Sequence, residues 1–371
     1  MPIFMDRHDV PGISLGDAAQ AHLQDISFQK QFDCECLTYW VDEQRGNAFC
    51  LIKAPNIDAV KELHNQSHGL IPHAIIEVDS DVVNAFLGRI QDPEPFTYEA
   101  GTELSIFNDP AFRTILVMKP SDDLIINSFK YLNSDRSDNE QFYSRCHNLI
   151  NQFKGRIVED CDGIIASFAS VTNALECSIL MIRKFNSDSD YRHNGQGISI
   201  GIHAGVPVGK HKCIFGDALQ MAKNLCFIAS ENSIYATSII KELYKGSFEK
   251  ELSSSSDIII LSNDNEEFLS SLMDTLAQYF HDETFGRDNW SEKIGVSKSK
   301  LYRKIKLLTD KTPNELLKEY RLQSALKSML HRKTYVSQAA FDAGFQSPSY
   351  FTKCFKKRYG LLPNSLVKNV S

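Results

Sequence analysis

No apolar run in this sequence approaches the roughly 18 to 20 residues that a membrane-spanning helix requires. Stretches such as Thr114–Met118 and Ile258–Leu261 fall far short of it, so no membrane partner is expected. A disulfide framework is also missing, because nine cysteines, an odd count, fall at irregular spacing and read as thiols. Cys34-Glu-Cys36 is too isolated to form a metal motif. The first residues carry Asp6 and Arg7 where a signal peptide would keep an apolar core, and a cytoplasmic location is expected. At 42% apolar and 23% charged residues, the composition excludes a wholly disordered or collagen-like chain. A length of 371 residues points to two or three domains.

Charge is unevenly spread. From Arg287 to Ser371 there are 18 Lys and Arg against 6 Asp and Glu, a net +12, while the rest of the chain carries −19. A basic tail on an acidic body suggests a nucleic-acid-binding module carried by something with another task. A solvated basic surface is the competing reading.

Periodicity divides the chain further. Residues 2–79 read as strand Ile3–Arg7, helix Leu15–Gln29, strands Cys34–Val41 and Ala48–Lys53, helix Asn56–Ser67 and strand His73–Val78. That order, βαββαβ, is the ferredoxin-like unit of four antiparallel strands with two helices on one face. Residues 80–112, with Asp92-Pro93-Glu94-Pro95, read as a linker. A second α/β domain over 113–246 runs from strand Arg113–Met118 through helix Glu140–Phe153, hairpin Arg156–Phe168, helix Val171–Phe185 and strand Gly197–Val206 to helix Asp217–Ala229. Residues 247–267 read as a polar hinge and 268–371 as an all-helical domain. The expected fold is therefore multidomain: ferredoxin-like α+β, then α/β, then tandem helix-turn-helix.

In the tail, a turn at Gly295 precedes a helix anchored by Leu301 and Ile305. The pattern recurs with a turn at Gly344 and anchors Phe351 and Phe355, and Pro313–Leu330 has the spacing of one long helix between the two units. Opposite the anchors lie Ser299, Lys300 and Arg303 on the first helix and Ser349, Tyr350 and Lys353 on the second, the predicted DNA-reading face. Lys304, Lys306, Lys356, Lys357 and Arg358 are expected at phosphates. The run Gly344-Phe-Gln-Ser-Pro-Ser-Tyr-Phe-Thr-Lys-Cys-Phe-Lys-Lys-Arg-Tyr-Gly360, followed by Pro363, resembles the AraC family of transcriptional regulators. The resemblance implies two recognition helices per monomer in neighbouring major-groove segments of double-stranded DNA. Gln338 stands where that family usually has an apolar residue.

Residues 113–244 resemble the catalytic domain of class III nucleotide cyclases through Gly155–Phe168, Ile198–Gly205 and Phe215–Leu225. Nucleotide cyclisation uses two divalent ions held by two aspartates, with cationic and amide groups on the reacting phosphorus. The resemblance puts Lys119 at the first aspartate position, Asp162 at the second, and Gln220 and Asn224 at the transition-state Asn and Arg. Three of the four catalytic positions are changed, so no enzymatic activity and no bound nucleotide are expected, although Glu159 and Cys213 match base-selecting positions of guanylate cyclases. Because cyclases pair, a homodimer through this domain is expected.

In the first domain His8 ends the opening strand, His64 and His68 stand at i and i+4 on a helix, and His73 opens the last strand. Two imidazoles on one helix face suit nickel, copper or zinc. Asp6, Cys50 and Tyr39 are reserve donors, with core packing the alternative for Cys50 and Tyr39. The stretches Met1–His8, Phe49–Leu51 and Ala59–Gly69 resemble a family of small ferredoxin-like proteins described as nickel-binding, whose members assemble through their sheets. Together these readings describe a cytoplasmic one-component transcription regulator whose effector is a metal ion, nickel or zinc. The rivals are a divergent active purine nucleotide cyclase tethered to DNA, and a DNA-binding protein whose upstream domains are scaffolds.

Overall fold

The computed structural model describes residues 1–93, 106–121, 137–159, 163–187, 197–244, 257–331 and 334–367. The chain forms two compact units: Met1–Val117 with Ile150–Glu176 and Ile202–Ala222, and Met118–Leu149 with Cys177–Gly201 and Lys223–Ser371.

The first unit opens with β1 (Ile3–Asp9), α1 (Leu15–Phe28), β2 (Glu35–Asp42), β3 (Asn47–Lys53), α2 (Ile57–Ser67) and β4 (Ala74–Val78). The antiparallel sheet has the order β2-β3-β1-β4, as the ferredoxin-like reading requires. Local chemistry fixes the helices. Ser14 and Asp17 form a capping box at the start of α1, Asn56 caps α2 through the Ala59 amide, and Gly69, at φ +78°, ends α2 in the left-handed region.

The segment expected as a linker begins with a helix, α3 (Ser80–Leu87). Asp79 caps it by accepting from the Asp81 and Val82 amides, and Gly88, at φ +87°, stops it. Val83, Phe86 and Leu87 are buried, and the Ser167 hydroxyl donates to the Phe86 carbonyl at 2.9 Å. An apolar stripe this short gave too little periodicity to separate from the Pro-rich stretch behind it.

A second sheet follows, from β5 (Arg113–Pro120), α4 (Ser137–Gln152), β6 (Arg156–Glu159), β7 (Ile164–Phe168), α5 (Val171–Ser187) and β8 (Ile198–Gly205) to α6 (Gly216–Ile228), β9 (Ser233–Ala236), α7 (Ser238–Leu243) and β10 (Ile258–Ile260). Its order is β10-β9-β8-β5-β7-β6. Counted from β5, its first four strands repeat the order of the first sheet, so the chain holds two βαββαβ units in tandem. Within the predicted hinge, β10 pairs in parallel with β9, and the next helix begins at Asn263; residues 247–256 lie outside the described residues. The apolar run Ile258–Leu261 supplies a strand that the neighbouring serines and asparagines obscured.

Alternation on the first sheet gives its two faces different roles. Phe4, Asp6 and His8 on β1, with Cys50 and Ile52 on β3, lie on the face that α1 and α2 cover, whereas Met5, Trp40, Phe49, Leu51 and Ile76 lie on the other. That second face shares one core with Val83, Phe86, Ile115, Ile165, Val208 and Phe215. Phe86 and Phe215 pack with ring centroids 4.9 Å apart, and Arg89 lies over the Trp40 ring at 4.4 Å. The sheet face through which the resembling family was expected to assemble is thus covered by this chain's own next domain.

The tail comprises α8 (Asn263–Tyr279), α9 (Arg287–Ile294), α10 (Lys298–Thr309), α11 (Pro313–His331), α12 (Val336–Asp342), α13 (Pro348–Tyr359) and α14 (Pro363–Val367). Trp290, fully buried, packs near Phe285 in the first helix-turn-helix unit. At the turn of the second unit Gly344 has φ +77°, and a Cβ there would meet the Phe280 carbonyl oxygen, so a side chain is excluded on both counts.

Candidate metal centre and nucleic-acid interface

Helix α1 buries Ala18, Ala19, His22 and Asp25, so an acid occupies the apolar stripe of an amphipathic helix. Across from it α2 presents His64 and His68, and β1 brings Asp6 and His8 from the sheet. His64 is fully buried between the two acids. Its Nε2 lies 2.8 Å from Asp6 Oδ2, and its Nδ1 lies 3.1 Å from Asp25 Oδ2. His68 Nε2 lies 3.2 Å from Asp25 Oδ1, while its Nδ1 accepts from the Leu70 amide at 3.1 Å. The Asp6 Oδ1 atom also accepts from the Cys50 amide at 3.0 Å.

Burial alone would push both carboxylates up and His64 down. The ion pairs outweigh it: Asp6 and Asp25 fall well below the usual carboxylate range, and His64 rises to about 10. The Cys50 thiol is held well above its usual range by burial and by Asp6 and Asp25. The stability contributed by His64 is fully present below its ordinary value of 6.5 and is lost as pH rises through about 10. That of the two aspartates is present above 3.8 and is lost in strong acid, as pH falls through their depressed values. Urea midpoints should therefore fall between about pH 7 and about pH 10, and this slope should disappear in His64→Gln. An unchanged slope would show that the ring is not the titrating group.

The donor atoms fit a small divalent ion. Bonds of ~2.1 Å place neighbouring ligands about 3.0 Å apart in octahedral and about 3.4 Å apart in tetrahedral geometry. His64 Nδ1, His68 Nε2 and Asp25 Oδ2 are separated by 3.1, 3.1 and 3.4 Å. With His64 doubly protonated, its Nδ1–H and the Nε2–H of His68 both turn to Asp25, so two N–H groups face each other at 3.1 Å. A cation replacing those protons removes that conflict. A second set, Asp6, His8, Cys50 and His64, also places its donors within 4.8 Å of one another. There His8 Nε2, 3.3 Å from Asp6 Oδ1, is buried without a hydrogen-bond partner. The residues present fit a late first-row metal.

Of the histidines read from the sequence, the fold brings His8, His64 and His68 together and leaves His73 out. The exposed His73 donates its backbone N–H to the Arg7 carbonyl, and its Nδ1 accepts from the Asp9 amide at 3.1 Å. Asp6 and Cys50 join the groups, whereas Tyr39 packs against His22 and Phe107. Asp25 was missed, although its place in the stripe 18, 22, 25 was a readable signal.

In the tail, Ser297 caps α10 through the Lys300 amide and Ser347 caps α13 through the Tyr350 amide, with Pro348 opening the helix. Leu301, Ile305, Phe351 and Phe355 are buried, and Ser299, Lys300, Arg303, Ser349, Tyr350 and Lys353 are all exposed. Three cations expected at phosphates are engaged within the chain. Lys304 binds Asp264 at 2.5 Å, Lys306 binds Asp310 at 2.8 Å, and Arg358 binds Glu319 at 2.8 Å. Gln338 is exposed and bonds Asp342, so it does not disturb the second unit's core.

At the cyclase-like positions, Lys119 is half-buried near the end of β5, Gln220 is exposed on α6 and Asn224 is buried on the same helix. Asp162 lies outside the described residues.

Residues 290–369 match a family model described as a helix-turn-helix domain. The tail is a helix-turn-helix domain. Residues 4–78 match the model described as nickel responsive protein SCO4226-like. The chain is similar to part of "Histidine kinase P4" of Formosa agariphila, 35% identical over 106 residues that cover 29% of this chain and 8% of that protein. It is also similar to an uncharacterized HTH-type transcriptional regulator in the cgkA 5′ region of Pseudoalteromonas carrageenovora, 36% identical over 93 residues, 25% of this chain and 54% of that one. The chain spans about half the length, or less, of these relatives. Among solved structures, SCO4226 of Streptomyces coelicolor A3(2) is 31% identical, with 20% of this chain and 94% of that chain covered and a TM-score of 0.20. An adenylate/guanylate cyclase/hydrolase of Silicibacter pomeroyi is 24% identical, with 37% and 82% covered and a TM-score of 0.30. No helix among the described residues is long and apolar enough to cross a membrane.

Proposed function

We propose that this chain is a cytoplasmic one-component transcription regulator in which a metal ion held by the first domain sets the DNA affinity of the AraC-type domain. The observation that carries the reading is the convergence of Asp6, Asp25, His8 and His68 on the buried ring of His64. His64, His68 and Asp25 would hold the ion, with Asp6, His8 and Cys50 as a second donor set sharing His64. A bound nickel or zinc ion supplies positive charge in place of the His64 proton.

The chain's own residues offer a route outward. Asp6 and His8 face the site, whereas Met5 on the same strand belongs to the core shared with the second domain, and Arg7 donates to the Val208 carbonyl at 3.3 Å. A shift of β1 that satisfies the donors therefore moves the wall against which the second domain packs. A ligand changes DNA binding only as far as it prefers one conformation. Nickel should accordingly bind stoichiometrically, release protons, and change the full chain's affinity for a selected DNA site several-fold. Identical affinity with nickel and with chelator would remove the effector role while leaving the DNA-binding role intact.

The second domain is read as a relay and homodimer platform rather than a catalyst, supported by Lys119, Gln220 and Asn224 at its cyclase-like positions. The full chain with magnesium or manganese should make no cyclic nucleotide from ATP or GTP. Turnover that disappears in Asp162→Ala would replace this reading with that of an enzyme.

A further inference from the structure

A cleft of about 320 Å³ lies wholly within the second unit, between the ends of β5, β8 and α6 on one side and α11, its preceding loop and α13 on the other. Neither the metal centre nor the DNA-reading face uses it. We propose that this cleft binds a small organic anion carrying a flat ring, an aromatic carboxylate or phosphate ester, and that the ligand fastens the second recognition helix to the second domain.

Size, charge and shape agree. The volume is at the lower end of the ~300–1,000 Å³ typical of small-ligand sites. Three cations from three separate segments line it: Lys119 of β5, Lys311 of the loop before α11, and Arg358 of α13. Of the acids there, Glu319 is already matched by the Arg358 guanidinium, whose Nε and Nη2 reach its carboxylate at 2.8 and 2.9 Å. Among the described residues the other acid is Glu231, and the three cations leave that lining with an excess of positive charge, which concentrates anions in a cleft. Phe227 contributes an aromatic surface, its ring set edge-to-face against Tyr320 at 5.5 Å. Such a ring favours a flat ligand over an aliphatic one.

The consequence follows from α13, which carries Arg358 on the cleft and Ser349, Tyr350 and Lys353 in solvent. An anion held jointly by Lys119 and Arg358 ties that helix to β5 and so constrains how it is presented to DNA. This input is independent of the metal.

The test is calorimetric titration of the full chain, with chelator present, using phenyl phosphate, benzoate, glucose 6-phosphate and inorganic phosphate. Phenyl phosphate should bind saturably, and roughly tenfold more tightly than glucose 6-phosphate or phosphate. Benzoate binding comparably would place the natural ligand among carboxylates, and benzoate failing would place it among phosphate esters; the ring-bearing anion stands in both cases. Lys119→Glu with Lys311→Glu should weaken phenyl phosphate roughly tenfold or more. Lys119→Gln with Lys311→Gln serves if charge reversal unfolds the chain. Phe227→Leu should remove the preference for the ring and leave phosphate binding unchanged. The proposal is overturned if no probe saturates, if the lysine variants bind as the parent does, or if phenyl phosphate and phosphate bind equally.

Discussion

His64→Leu should cost the first domain about 3–5 kcal/mol, the loss expected when one member of a buried ion pair is removed and its partner charges stay behind. The loss is large because Asp6 and Asp25 both depend on this ring and both are almost completely buried. Chemical denaturation measures it. Adding Asp6→Asn and Asp25→Asn to the same chain should recover much of the loss, since the stranded charges go with the ring. A single variant as stable as the parent would mean that the acids are solvated. The fold therefore complicates the obvious metal test, in which loss of nickel binding in a His64 variant could simply report unfolding. His68→Gln separates the two, because it removes a donor to the ion and leaves the His64 ion pairs with Asp6 and Asp25 in place.

On DNA, Arg303→Ala and Lys353→Ala should each weaken a selected site by about 1–3 kcal/mol, roughly ten- to a hundredfold. Lys304→Ala and Arg358→Ala should have far smaller effects, since Asp264 and Glu319 already hold those cations. Competition binding on one duplex over a salt series separates the groups, as each lost phosphate contact lowers the salt slope by about one. A selection from random duplexes that enriches no motif would reduce the tail to a non-specific binder. Equal effects from all four variants would show that the in-chain ion pairs open on DNA.

The elements of the first domain were legible almost to their ends, because its strands alternate and its helices carry Ser14 and Asn56 as caps. The candidate donor cluster was only half legible. His64 and His68 advertise themselves by spacing, but Asp25 required asking why a charge occupies an apolar stripe. His73 stands outside the cluster because of strand register. The pairing of Arg7 with Ala74 places His73 beside the Arg7 carbonyl and turns its ring to the Asp9 amide, a detail of strand pairing that composition does not carry. The shared core was harder still. Met5, Trp40, Phe49, Leu51 and Ile76 give the sheet a second apolar face, yet apart from Val83, Phe86 and Leu87 most of their partners lie beyond the proline-rich stretch, where periodicity gives no hint of contact. In the tail, the exposed face opposite the anchors followed from their spacing, while the capture of Lys304 and Arg358 depended on acids 40 and 39 residues away in the chain.

The chain has two tryptophans, and the fold assigns one to each unit. Trp40 sits in the core behind β1 and Trp290 in the first helix-turn-helix, both fully buried and both with an indole N–H that has no hydrogen-bond partner. Dry, unpaired indoles emit at short wavelength and shift red when water reaches them. Trp290→Phe leaves a reporter confined to the first domain, and Trp40→Phe one confined to the helix-turn-helix domain. Stopped-flow fluorescence on the two variants, mixed with nickel or with duplex DNA, thus follows the response of each domain separately in an unlabelled protein.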